Sequence, residues 1–448
     1  MSTLVKTDAV GGDPIFAPVR KLAPELLAEI FILCISTLPE PVEKPGELLE
    51  PEFECGMDLQ AARGQLARVC RWWNAVLNDD PRVWATLVLD ADQSITPQIV
   101  TLWIKRSKSH PLDVYIKFGN TYNMEDTIVA VLHTHLWRIR CLVWKNCYWR
   151  GHSHLSTLLP PSVSTYAPMM QNLCLLAYRS NWASNMGDIH CPDLRTLTIK
   201  NCDEAIESLI GKPMPNVRHL HLFSGGPVML YIKLLNVLPN LVSLKWIQRY
   251  EETVGAPNSR VALQSLKSLT LVDIIPHFLA CFYAPSLESL NLAGDAAESI
   301  HVLKIICQDW KVALRHLTIT GKLPQKTAIH AMLPHLAHLE TLIVHPNEDN
   351  FVDELLMALS PHNRDFTLAC PQLKTMELNH GQVSTSALVD FVWRRVKRDL
   401  DDAVPGLMTS LKLSFIPVDQ DVCEQLVKTH GSSVHIRVNL QTFIRLCF

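Results

Sequence analysis

The sequence predicts an α/β chain: a small helical unit, then an array in which parallel strands alternate with helices. Three observations predict it. Two helical segments with apolar faces lie close together between residues 19 and 90, ending on Pro81-Arg-Val-Trp84. From about residue 136 the pattern L-x-x-L-x-L recurs at near-equal steps. Across the whole chain no arrangement of side chains suited to covalent chemistry is found.

The bounds come first. A chain of 448 residues exceeds what one compact core organises, so a small domain plus an extended array is expected. Hydrophobic residues make up 48%, enough for a large core and too many for global disorder. With 41 basic and 44 acidic side chains the net charge is −3, which argues against a nucleic-acid partner. The 13 cysteines are odd in number and scattered, and Met1 to Arg20 contains no apolar signal segment. That combination predicts reduced thiols in the cytoplasm or nucleus. No run of 18 apolar residues occurs, so no membrane span is expected.

Residues 1–17 read as a flexible tail, broken by Gly11, Gly12 and Pro14. A helical domain is expected over 18–90. Its first helix starts at Pro24, a residue suited to a first turn, with Glu25 favoured by the helix dipole. Leu26, Leu27, Ile30 and Phe31 follow at helical spacing. Residues 39–60 hold four prolines, seven acidic residues and Lys44 as the one base, and predict an acidic loop inserted in this domain. A second helix is expected over 59–78, with Leu59, Leu66, Val69, Cys70, Trp73, Val76 and Leu77 as its apolar stripe, stopped by Asn78-Asp-Asp-Pro81. Trp72 is the tryptophan expected at the surface. Residues 91–135 read as a linking segment: a strand over Val83–Leu89 precedes it, and it contains a helix from Thr96 to Lys108 and a strand through Leu112, Val114 and Ile116.

From 136 to 448 the repeated unit governs. Its apolar positions are Ile139/Leu142/Trp144, Leu173/Leu175, Leu194/Leu197/Ile199, Val217/Leu220/Leu222 and Leu241/Leu244/Trp246. They continue as Leu266/Leu269/Leu271, Leu287/Leu290/Leu292, Leu314/Leu317/Ile319, Leu339/Leu342/Val344, Leu373/Met376/Leu378 and Met408/Leu411/Leu413. Steps from Leu173 to Leu339 are 21, 23, 24, 25, 21, 27 and 25 residues, the period of a leucine-rich repeat with one strand and one helix per unit. One such unit cannot cover its own apolar side, so copies stack on a shared core. The expectation is a solenoid with parallel strands on its concave face and helices on its convex face. Helices are expected at Tyr231–Leu238, Ile300–Asp309, Thr327–Leu333 and Val352–Leu359, and Trp393–Asp402 reads as a solvated helix face. The expected concave positions, among them Arg195, Arg218, His219, Lys267, Glu288 and Arg315, mix both charges and form no compact arginine cluster.

Candidate chemistry is sparse. His133, His135, Cys141, Cys147, His152 and His154 are the most metal-like group, yet their spacing fits neither common zinc pattern. The chain contains no G-x-S-x-G elbow, phosphate loop, dinucleotide fingerprint or H-E-x-x-H helix. No enzymatic activity, cofactor or metal is therefore expected.

The segments Leu22-x-Pro24-Glu25-Leu26-Leu27-x-x-Ile30-Phe31, Val69-Cys70-Arg71-x-Trp73 and Pro81-x-x-Trp84 together resemble the F-box motif. Leu102-Trp103-Ile104-x-Arg106-Ser107 and Pro111-Leu112 resemble the extension found in fungal F-box-like proteins. The likeness covers residues 20 to about 118; leucine-rich repeats are a common companion. It implies a substrate-recognition subunit of a Skp–cullin–F-box ubiquitin ligase, docked on a Skp-type adaptor and cullin core and holding a target protein through its repeats. It further implies that Pro24, Leu26, Ile30, Phe31, Val69, Cys70 and Trp73 form the helical unit and its adaptor-facing surface. The acidic insertion departs from the usually continuous motif. It leaves open a scaffold outside the ligase, in which the helices cap the solenoid.

Overall fold

The computed structural model describes residues 22–35, 55–90, 95–118, 126–146, 158, 165–177, 189–210, 213–224, 228–248, 260–273, 276–294, 296–321, 332–346, 352–360, 370–379, 383–396, 409–414 and 435–439. Helices α1 (Pro24–Ile35), α2 (Cys55–Val69) and α3 (Arg71–Asp79) lead, closed by a short 3-10 turn at Pro81–Trp84. Strand β1 (Thr86–Asp90), α4 (Pro97–Arg106), β2 (Leu112–Phe118), α5 (Asp126–His133) and β3 (Ile139–Asn146) follow. The chain continues through β4 (Asn172–Ala177), β5 (Thr196–Lys200), α6 (Asp203–Ile210), β6 (His219–Ser224), α7 (Val228–Asn236) and β7 (Ser243–Gln248). Next come β8 (Ser268–Val272), β9 (Ser289–Gly294), α8 (Ala296–Lys304), β10 (His316–Gly321), β11 (Thr341–Pro346) and α9 (Val352–Leu359). The last are β12 (Thr375–Asn379), α10 (Thr385–Val396), β13 (Ser410–Ser414) and β14 (His435–Asn439).

These fourteen strands form one sheet in strict chain order, and every described pairing is parallel. Parallel neighbours need a crossover between them, and the helices and turns between strands supply it. Register is set by the apolar pattern, because a one-residue slip would turn every leucine to the wrong face. Leu197, Leu220, Leu244 and Leu269 stand opposite one another in successive strands, as do Ile199, Leu222, Trp246 and Leu271. The L-x-x-L-x-L residues form the core: all are buried except Met408, which lies outside the described residues. Leu173 pairs with Leu197 rather than Leu194, so it is a second position. The first position of that unit is the buried Met170, and the step to Leu194 is 24 residues.

Several boundaries differ from the sequence reading. The sheet begins at Thr86, not near 136: β1 and β2 are full members, so the segment expected as a link over 91–135 supplies a strand of the sheet, β2, together with helices α4 and α5. The strand expected from Val83 starts three residues later, because Pro81 and the Asp80 side chain, which accepts from the Arg82 amide, set a helical turn first. The helix expected over 59–78 is two helices broken at Cys70, whose extended backbone and sulfur cap α3. The acidic insertion is shorter at its C-terminal end, since residues from Cys55 onward are helical; 36–54 lie outside the described residues, as do 1–17.

Two buried arginines tie the layers together. Arg138 is 1% exposed and donates to the carbonyls of Lys108, His110 (3.1 Å) and Ile104 (3.0 Å) and to Ser107 Oγ (3.0 Å), gathering the groups left over where α4 ends. Arg395, on the helix read as solvated, is 3% exposed and donates to Leu359 O (2.9 Å) and Cys370 O (3.1 Å). The solvated reading therefore fails at this residue; 397–402 lie outside the described residues.

At the ends of β9 and β10, Gly294 and Gly321 stand in register with φ of +137° and +113°. A Cβ on Gly321 would sit 2.6 Å from the Gly294 carbonyl oxygen. Gly321→Ala is expected to lower the unfolding free energy by about 1–3 kcal/mol in denaturant titrations. An unchanged midpoint would show that this strand end gives way freely.

Candidate docking surface

Helix α1 is apolar on two sides. Leu27, Ala28, Phe31 and Ile35 are buried against the neighbouring helices. Leu26, Ile30 and Leu33 recur at i, i+4 and i+7 on the other side and are 56, 41 and 68% exposed. A surface helix ordinarily presents polar residues there. Val69 and Trp72, each 39% exposed, add apolar surface from α2 and α3.

The residues named from the sequence separate into two groups. Pro24, Leu26, Ile30 and Val69 are exposed. Phe31 is fully buried, and Cys70 and Trp73 are half-buried. The Phe31 and Trp73 rings meet at 5.0 Å, which locks α1 to α3. Cys70 Sγ accepts from the Trp73 amide at 3.5 Å and turns α3 away from α2. These three position the exposed residues. Arg82 pairs with Glu29 of α1 and with Asp80 (2.7 Å) and fixes α1 to the turn below it. Burial alone would raise the Asp80 carboxyl, but hydrogen bonds from Arg82 outweigh it and hold the group below the usual carboxylate range.

The helical unit also covers the first edge of the sheet. Arg63 Nη2 donates to Thr86 O at 2.8 Å and Gln60 Nε2 to Val88 O at 3.5 Å, both carbonyls of edge strand β1. Arg63 is 4% exposed and lies 5.3 Å from the centre of the Trp84 ring, which Arg106 also faces at 4.4 Å. Burial lowers the Arg63 guanidinium to about 10, still charged at neutral pH. Trp84 Nε1 completes the joint by donating to Leu77 O at 2.8 Å. Sequence reasoning missed Arg63; its position inside a helix flanked by apolar residues was the one signal.

No family model matches the chain, and no curated protein matches it.

The sheet face opposite the leucine core is the second surface. It carries the alternate strand residues, such as Thr196, His219, Ser243 and Ser268. The residue ahead of each strand forms a row, joined by hydrogen bonds from one residue's amide to the previous one's carbonyl. In that row Lys267 pairs with Glu288 (3.2 Å), and Glu340 pairs with Lys374 (2.9 Å) and Arg315 (3.8 Å). The expected mixture of charges is present, but stacking sorts it into compensated groups and one exception, the neighbours Arg195 and Arg218.

Among the described residues, no three His, Cys, Asp or Glu side chains converge to hold a metal ion. Of the metal-like group, Cys147, His152 and His154 lie outside the described residues. Burial pushes the Cys141 and Cys174 thiols up to about 12, so both are protonated at neutral pH. No helix among the described residues is long and apolar enough to cross a membrane.

His221 stands between Thr198 and Lys245 on this face. Burial, then the charges of Lys245 and His219, push it down to about 4, against about 6.5 in an unfolded chain. Between those values the unfolded state binds the extra proton. His221 thus leaves stability intact above pH ~6.5 and removes it as pH falls toward the folded value. His221→Asn is expected to flatten the fall in unfolding free energy between pH 6.5 and 4, measured by denaturant titration. An unaltered slope would assign the acid sensitivity to other groups.

Proposed function

We propose that the chain is a substrate-recognition adaptor of a Skp–cullin–F-box ubiquitin ligase. In this reading the ordered parallel sheet is a leucine-rich-repeat solenoid, its open face concave and its helices convex. The observation that carries the reading is the exposed stripe Leu26, Ile30 and Leu33 on a helix whose other side is already buried. A few centrally buried residues supply most of the affinity in protein interfaces, and this stripe falls within the segment that resembles the F-box. The α1 helix docks on the Skp-type adaptor, and the repeats hold a target protein in the cytoplasm or nucleus. The transfer chemistry belongs to other subunits, so the chain needs no catalytic residue or cofactor of its own.

Co-expression of the full chain with a Skp-type adaptor tests this reading. A stoichiometric complex on size exclusion is the expected result, and separate elution of two folded proteins would refute it. One observation favours a second reading, a scaffold outside the ligase: Arg63 and Gln60 engage the edge carbonyls of β1, the role of a solenoid cap. Separate elution would leave that reading standing.

A further inference from the structure

We propose that Arg195 and Arg218 form the centre of a docking surface for a carboxylate-rich protein segment. This inference rests on the reading that the sheet's open face holds a target protein, and it names the target's chemistry.

The two arginines are 23 residues apart in sequence, yet the Arg218 amide donates to the Arg195 carbonyl at 2.8 Å. Adjacent strands set them about 4.8 Å apart. Both side chains are exposed. Among the described residues no carboxylate comes within ion-pair distance of either. The contact made by the Arg218 guanidinium is donation from Nη1 to Asn240 O at 3.2 Å. The exposed imidazole of His219 follows directly.

Like charges side by side on a sheet repel each other and destabilise the pairing. Elsewhere in the same row each neighbouring cation is met by a carboxylate, Glu288 at 3.2 Å from Lys267 and Glu340 at 2.9 Å from Lys374. The pair Arg195 and Arg218 lacks that compensation. Carboxylates brought by a partner would complete the pattern, and guanidinium forks suit them through paired N–H donors. Nucleic acid fits less well, because Glu288 and Glu340 in the same row would repel an extended polyphosphate. The site suits a short acidic stretch.

Fluorescence anisotropy of the full chain with a labelled decapeptide of alternating Glu and Ser tests the proposal. The expected result is saturable binding that weakens with salt. It should be at least tenfold weaker for the Gln–Ser counterpart and at least tenfold weaker for the Arg195→Gln/Arg218→Gln variant, with circular dichroism unchanged. The Lys267→Gln/Glu288→Gln variant should bind within about twofold of the parent. Undiminished binding by the arginine variant, absence of binding by the parent, or displacement by lower concentrations of a single-stranded oligonucleotide would each overturn the proposal. Capture of the Skp-type adaptor by the same proteins is read separately. Peptide binding without adaptor capture defeats the ligase reading alone; adaptor capture without peptide binding defeats the acidic-segment proposal alone.

Discussion

Replacing Leu26 and Ile30 together with aspartate should abolish capture of a Skp-type adaptor while leaving the fold intact. The two halves of that result have separate causes. Both side chains lie at the surface, 56 and 41% exposed, so their removal opens no enclosed cavity. Surface changes of this kind stay within about 0.5 kcal/mol of the parent. An aspartate at position 26 even lies in the first helical turn, where the dipole favours it. Binding is another matter. A hot-spot side chain at the centre of an interface costs about 2 kcal/mol or more when truncated, and each 1.4 kcal/mol is tenfold in affinity. A buried, unpaired charge adds a further penalty. The double variant should bind at least a hundredfold more weakly in isothermal titration, with the thermal midpoint unmoved. Retained affinity would remove this stripe from the interface.

Phe31→Ala should do the reverse and damage the fold first. Phe31 is fully buried and its ring meets Trp73 at 5.0 Å, so truncation empties the joint between α1 and α3. Truncations of buried phenylalanines cost about 3–5 kcal/mol. That is a large share of what holds a small helical unit. Amide hydrogen exchange across α1 and α3 should accelerate sharply, while the distant strands β7 to β9 keep their protection, since stacked units are stabilised by their neighbours. Slow exchange preserved in α1 would show that the helix is held by other contacts. Adaptor capture would also fall, but together with protection, whereas the Leu26/Ile30 variant loses capture with protection retained.

The parts of this fold legible in sequence are those where one residue type reports one environment. Leucine at fixed spacing marks buried strand positions, and each described position read that way is buried. Met170 escaped because a flexible thioether fills the same pocket without looking like leucine. The membership of β1 and β2 in the sheet also escaped: Leu87, Leu89, Leu112, Val114 and Ile116 mark strands, but alternation does not say which strand lies beside which. The break at Cys70 was hidden because the apolar period runs straight across it; the residue acts there through its backbone and sulfur rather than its hydrophobicity. At the candidate docking surface, helical spacing located Leu26, Ile30 and Phe31, but which of them faces outward depends on where α3 packs. Arg195 and Arg218 show the same limit. Each reads as an ordinary surface charge, and their adjacency arises from stacking alone.

The hydrogen bonds that Arg63 and Gln60 give to β1 bear on how the proposed targets could be isolated. A common strategy deletes the adaptor-binding part so that targets are held without being consumed. Here the deletion would strip α2 and bare a fourteen-strand parallel sheet at its first edge. Uncovered strand edges are templates on which other chains add. A truncated bait would then gather extended polypeptides, including copies of itself, without regard to their sequence. On the proposed reading, point substitutions on the outer side of α1 would silence docking while leaving that edge closed.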